Sequence, residues 1–306
     1  MPTSDNYIVH ILFKIKILTC VGNEFQALFN QVMQYRDSGF CPTKPSGQTG
    51  DKKNDGYIKT KGIYFQVYSP EDLAQKISKT KEKMSADFEG LYTYWNSISP
   101  VKELIMVLND KFKGVSPELY KLASELSKKY SVICSLYLAK DLENDFFNLS
   151  EIQKKMIVGD YPTSSSIEDI DYTSLTEVIH YILGRQMVYT TESIPKKPDF
   201  DEKIKFNKLN SKVANLLHTG SYQNFVVNDF FRVNSDFHKD ELRNKFNQIY
   251  HEAIELIEES DIKNDEVFFY ILNQTSPNNT LPYQSAVLIL MSYYFEYCDI
   301  FETPKR

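Results

Sequence analysis

Asp55 and Gln66 stand on either side of a short polar turn in the stretch GDKKNDGYIKTKGIYFQVYSPED, residues 50–72. An acid on one strand-like run and an amide oxygen on the next are hard oxygen ligands of the kind Mg²⁺ or Mn²⁺ takes. Hydrolysis of a phosphodiester uses such ligands to hold an ion that activates water and stabilises the departing oxygen. It also calls for a cation, commonly lysine, on the same face, to orient water or offset charge in the transition state. Two residues beyond Gln66, where that lysine is expected, stands Tyr68.

Side chains two apart share one face of a strand. Asp55, Tyr57 and Lys59 then share a face of the first run, and Tyr64, Gln66 and Tyr68 share a face of the second. On that pattern Lys59 is the lysine placed to assist Asp55 and Gln66. Glu24, on a preceding helical stretch, offers a second carboxylate for the metal. The plain alternatives are that Asp55-Gly56 is an ordinary turn braced by Asp51 and that Glu24 is a solvated helix acid. Lys59, Lys61, Lys76 and Lys79 are either solvated or a cluster that contacts phosphates.

The elements that must hold these residues are legible from periodicity. The stretch YIVHILFKIKIL (7–18) is apolar but broken by two lysines and a histidine, which predicts a buried first element and not a membrane span. GNEFQALFNQVMQY (22–35) has helical spacing with Asn23 as its cap. The runs DGYI and GIYFQVY are strands around the turn KTKG, and Ser69-Pro70 closes the second before a long helix through residue 95. VKELIMVLND (101–110) and SVICSLYLAKDL (131–142) read as strands around an amphipathic helix, 116–130. That order predicts an α/β sheet covered by helices. Ser166 or Asp169 starts a helix through 183, and ESIPKKPDFDEK (192–203) reads as a linker. From 210 onward the pattern is helical. Three regions result: 1–165, a linking helical region 166–204, and a helical domain 205–306.

Charge follows the same division. Residues 1–160 carry 21 Lys and Arg against 19 Asp and Glu, whereas residues 201–306 carry 11 against 16. A mildly basic first part is compatible with a DNA-acting groove, but no basic arm announces nucleic acid. Four cysteines without zinc or CxxC spacing predict a reduced, cytoplasmic setting. There is no P-loop, GxSxG, GxGxxG or HExxH motif, which excludes the chemistries those motifs carry.

A helix with Glu24, then GD-x-x-x-DG (50–56), then QVY (66–68), resembles the restriction-endonuclease-like fold of the PD-(D/E)xK superfamily. It is similar to the subgroup typified by Mrr enzymes and CD-NTase-associated endonucleases, which carry Gln in the second acidic position. The resemblance implies a metal-dependent DNA endonuclease, with Asp55, Gln66 and Glu24 as metal ligands and Lys59 in place of the lysine lost at Tyr68. Residues 205–302, including KLNSKVANLLHTGSYQNF and LILMSYYFEYCDIFE, resemble the C-terminal domain of ABC-three-component system proteins, which overlap with Lamassu anti-phage systems. That implies an effector subunit working with an SMC-like ATPase and a small middle component. It further implies double-stranded DNA as substrate, repression until foreign DNA is sensed, oligomerisation on activation and no membrane. The competing expectation is a catalytically inactive nuclease-fold subunit that binds DNA or serves as an adaptor.

Overall fold

The apolar first element is a helix, α1 (Ser4–Thr19), buried on nearly every side at Ile8, Val9, Ile11, Leu12, Phe13, Ile15, Ile17 and Leu18. It belongs to a computed structural model that describes residues 4–44, 52–70, 73, 77–163, 172–185, 199–234, 236–297 and 300–304. The next helix, α2 (Asn23–Arg36), turns Phe25, Leu28, Phe29, Val32 and Met33 inward at the expected spacing. Its cap is Gly22 and not Asn23. The backbone there is left-handed, φ 52°, which glycine tolerates, and the Gly22 N–H donates to Ser69 O at 2.8 Å.

Three short strands follow, β1 (Phe40–Pro42), β2 (Gly56–Ile58) and β3 (Ile63–Tyr68). They form an antiparallel meander. The β2–β3 turn closes through Gly62, at φ 68°, where a Cβ would press on Pro100 O. Helix α3 (Ile77–Trp95) then crosses to β4 (Glu103–Leu108), parallel to β3, and α4 (Pro117–Tyr130) crosses to β5 (Ile133–Tyr137), parallel to β4. The sheet order is β1-β2-β3-β4-β5. α4 starts where Ser116 accepts the Glu118 N–H and Pro117 takes the first turn.

The run 131–142, expected as one strand, divides. Its first part is β5, and from Ala139 it is helix α5 (Ala139–Phe147). The switch is local, because Asp141 Oδ2 accepts the Leu138 N–H at 2.8 Å and so caps the helix it begins. A short α6 (Glu151–Val158) completes this unit.

Both faces of the sheet are covered. Tyr64, Leu104, Met106 and Leu108 pack with Met84, Phe88 and Leu91 of α3 and Leu119, Leu122 and Leu126 of α4. On the other face Phe29 of α2 meets Phe40, Phe65 and Tyr137 edge-on or tilted. This burial on both sides is what parallel strands require.

The chain divides into two compact units, Met1–Val158 and Gly159–Arg306. Every described element of the second unit is a helix: α7 (Tyr172–Leu183), α8 (Phe200–Phe206), α9 (Ser211–Ser221), α10 (Asn224–Asn234), α11 (Asp236–Leu256), α12 (Lys263–Thr275) and α13 (Leu281–Glu296). Residues 192–203 were expected as a linker, yet Asp199 caps α8 by accepting the Glu202 N–H at 2.8 Å. The remainder of that stretch, with Ser166 and Asp169, lies outside the described residues. α13 is buried all round from Gln284 to Phe295, as a central helix must be. Its aromatic run is core: Tyr293, Tyr294 and Phe295 are all fully enclosed. α9 packs on α13 so closely that a Cβ at Gly220 would overlap Ser292 Oγ.

Among the described residues no helix is long and apolar enough to cross a membrane.

Candidate functional site

Asp55 stands at the bend that opens β2, not on the strand itself. Its N–H donates to Phe65 O at 3.0 Å, and its carbonyl accepts the Thr43 N–H at 3.1 Å, which ties it to β3 on one side and to the end of β1 on the other. Its carboxylate is held at two points. Oδ1 accepts from Gln26 Nε2 of α2 at 2.7 Å, and Oδ2 accepts the Val67 N–H of β3 at 2.7 Å. Hydrogen bonds of this length to a carboxylate are the strong, charge-assisted kind.

The β2–β3 register pairs Gly56 with Phe65. One step beyond that pair, Asp55 meets β3 on either side of Gln66, its N–H donating to Phe65 O and its carboxylate accepting the Val67 N–H. The glycine is dictated by packing, because a Cβ at position 56 would overlap the Phe40 ring across the β1–β2 pair. Gly56→Val is therefore expected to cost about 1–3 kcal/mol through overpacking, read as a lowered melting temperature.

Gln66 and Tyr68 share a face, as the alternation predicts. They line one small cleft with Lys83, Met84 and Asp87 of α3 and Met106 and Leu108 of β4. Gln66 is buried, and its Oε1 has no hydrogen-bond partner among the described residues. A buried acceptor without a donor is costly, so this atom is suited to a group that comes to it.

The remaining candidates lie apart from this pair. Lys59 is exposed in the β2–β3 turn, at the end of β2 opposite to Asp55. The face shared by Asp55, Tyr57 and Lys59 does not form, because β2 spans only Gly56–Ile58 and neither charged residue is on it. Glu24 is exposed in the first turn of α2. The residue of α2 that reaches Asp55 is Gln26, two positions on and so on a different helical face. Lys61 is exposed and pairs with Asp37 at 2.6 Å. Lys79 is exposed, and Lys76 and Asp51 lie outside the described residues.

Sequence reasoning passed over Gln26 and the pair Lys83 and Asp87. The latter had a visible signal, opposite charges four apart on a predicted helix. In the structure Asp87 is buried, with Lys83 Nζ at 2.7 Å and Lys53 Nζ at 3.0 Å. Lys53 comes from the loop that leads into Asp55, so Asp87 ties that loop to α3. Lys52 and Lys53 both have left-handed backbone, φ 54° and 66°. Such a conformation is strained for lysine and is held by its surroundings.

Asp110, at the end of β4, was also read only as strand. It is buried, and it accepts the Ala139 N–H at 2.9 Å and the Gly114 N–H at 2.8 Å. Asn109 beside it donates to the carbonyls of Ile17 and Cys20, which closes the end of α1. Gln66, Tyr68, Asn109 and Asp110 thus gather at the carboxyl ends of β3 and β4, the edge where open α/β sheets place their ligands. Burial pushes the pKa of the Cys134 thiol on β5 up to about 12, which disfavours the thiolate. Among the described residues no group of three or more His, Cys, Asp or Glu is gathered as a cation site.

The geometry defines a protein of two parts, a mixed α/β unit with a polar edge and a helical unit built on one central helix. Residues 173–302, which lie in the second unit, match the family model described as C-terminal domain 10 of the ABC-three component (ABC-3C) systems. The match supports membership of those multi-component systems. No curated protein and no solved structure matches the chain.

Proposed function

We propose that the chain is the effector subunit of a bacterial anti-phage defence complex, with a metal-dependent DNA endonuclease in its first unit. The observation that carries this reading is the Asp55 carboxylate held against β3 by the Val67 N–H, next to Gln66, and by Gln26 of α2. It occurs inside an order of helix, antiparallel three-stranded meander, helix and parallel strand. That order is the one the resemblance to restriction-endonuclease-like proteins implies. The similarity of residues 173–302 to a C-terminal domain of ABC-three component systems supports the defence setting. In this reading the partners are an SMC-like ATPase and a small middle component of the Lamassu kind. They hold the effector inactive until foreign DNA is sensed, and released effectors oligomerise on double-stranded DNA.

Mg²⁺ or Mn²⁺ fits the donors in kind. The Asp55 carboxylate and the orphan Gln66 Oε1 are hard oxygens. Glu24, exposed at the start of α2, is the further carboxylate in reserve. When bound, the ion supplies an activated water and a counter-charge for the departing oxygen. The chain's own contribution is positional. Gln26 and the Val67 N–H fix the Asp55 carboxylate in one orientation, so the acid reaches its working position without reorganisation.

Purified protein, alone and with its partner subunits, is expected to nick or cut duplex DNA when Mg²⁺ or Mn²⁺ is present and not in EDTA. Absence of cleavage in every assembly state sinks the enzyme reading. A second reading, a nuclease-fold subunit that binds DNA without cutting it, draws on the hydrogen bonds already engaging both Asp55 oxygens and on Tyr68 in the lysine position. It requires DNA binding that persists in EDTA.

A further inference from the structure

With tyrosine at position 68, the nuclease reading lacks the amine that stands near Gln66. We propose that Lys83 of α3 is that amine and that Asp87 positions it, an assignment that rests on the nuclease reading.

Lys83 lines the cleft into which Gln66 is turned. Gln66 is 8% exposed, and its orphan Oε1 marks the cleft as a place where a polar group is received. The Lys83 amine lies 5.4 Å from the centre of the Tyr68 ring. An ammonium at that distance is attracted by the aromatic face. Tyr68 thus occupies the usual place of the lysine and supports a lysine delivered from the neighbouring helix.

Asp87 lies one helical turn beyond Lys83 and is almost wholly enclosed. It holds Lys83 at 2.7 Å and Lys53 at 3.0 Å. Asp87 thus gathers two ammonium groups beside the cleft. The Lys83 side chain is 47% exposed, so its amine is open to an incoming phosphodiester. Lys53 belongs to the loop that carries Asp55, so the same carboxylate couples the acid's loop to the helix that bears the amine. Lys59 has no such link, being out in the hairpin turn.

In the hydrolysis, a water oxygen bonds to phosphorus and the bond from phosphorus to the departing sugar oxygen breaks. The proton lost by the water ends on that departing oxygen. Lys83 keeps its protons and offsets the charge gathering on the phosphate oxygens.

The test compares single-turnover cleavage at saturating duplex DNA, and DNA affinity in EDTA, for the full chain and for Lys83→Ala, Lys83→Arg and Lys59→Ala. Lys83→Ala is expected to slow cleavage by about 100-fold or more, the scale of removing one transition-state donor, while affinity stays within about threefold, the loss of one exposed phosphate contact. Lys83→Arg, which restores the charge, recovers part of the rate, and Lys59→Ala cleaves like wild type. A wild-type rate in Lys83→Ala overturns the assignment alone. So does a fall in affinity that accounts for the whole loss of rate, or a slow Lys59→Ala beside a fast Lys83→Ala. A wild-type chain that never cleaves overturns the nuclease reading and the assignment with it.

Discussion

Asp55→Ala is expected to abolish divalent-dependent cleavage, by about a thousandfold or more, and to lower stability as well. The first effect follows from its proposed role as a metal ligand held on β3 beside Gln66, because loss of that ligand would remove both the activated water and the counter-charge. The second follows from its hydrogen bonds. The Gln26 amide and the Val67 N–H each lose their acceptor. A buried or half-buried donor left unpaired costs about 1–3 kcal/mol. Because Gln26 is only half-buried and its amide can turn to water once the acid is gone, the cost falls mainly on Val67.

Asp55→Asn separates the two effects. The amide keeps one acceptor oxygen and presents an NH₂ group to the other donor, so it satisfies either Gln26 or Val67 but not both. Gln26→Ala leaves the acid in place and removes one of its two restraints. It is expected to cleave measurably, more slowly than wild type, with a stability loss smaller than that of Asp55→Ala. Under the non-catalytic reading the same three variants differ only in melting temperature, and each binds DNA in EDTA like wild type. Melting curves and cleavage rates measured on one set of proteins therefore decide between the readings.

The hairpin that carries this site was legible because its signals are local. A run of β-branched and aromatic residues from Ile63 to Tyr68 and a turn with Gly62 fix two strands. The α3, β4 and α4 order was legible for the same reason, with Ser116-Pro117 marking a helix start. The failures came where a side chain from elsewhere in the chain decides. The alternation rule extended the β2 face to Asp55 and Lys59, but the strand spans only Gly56–Ile58, and the Asp55 side chain is drawn to Gln26 and the Val67 N–H. Gln26 is 29 residues from Asp55, and nothing in its neighbourhood announces the contact. Lys83 shares a cleft with Gln66 only because the α3 crossover lays that helix over the face of β3 and β4. The strand expected through residue 142 failed at Ala139 because apolar residues alone do not separate a buried strand from a helix start, and the Asp141 cap does. In the second unit, the aromatic density of residues 288–301 was visible, but whether it forms core or surface depends on which helices surround it.

Lys203 shows the same dependence on distant partners, and its replacement is the severest stability test of the second unit. The stretch PKKPDFDEK reads as charged and solvated, yet Lys203 is completely buried. Its amine donates to Phe295 O at 2.9 Å and to Ile300 O at 2.7 Å, and it lies 4.6 Å from the centre of the Phe295 ring. Phe295 is in the last turn of α13, where carbonyls lack helical partners and the helix dipole is negative. α8 thus supplies a cationic cap to the central helix and anchors the segment after it. Asn207 adds to this anchor, exchanging hydrogen bonds with the backbone of Glu302 at 2.8 Å and 3.0 Å.

Lys203→Ala removes the cap and leaves a cavity the length of the side chain. The expected loss is about 3–5 kcal/mol, combining the lost hydrogen bonds to the Phe295 and Ile300 carbonyls with the cavity. Lys203→Met keeps most of the stem volume and loses the hydrogen bonds and charge, so it is expected to cost about 2–3 kcal/mol. The difference between the two measures packing apart from polar capping. Urea denaturation gives the magnitudes. Hydrogen exchange gives the location, because both variants should lose protection first in α8, at the end of α13 and in residues 300–304. Equal loss throughout the second unit, or melting unchanged in Lys203→Met, is incompatible with a capping role for this amine.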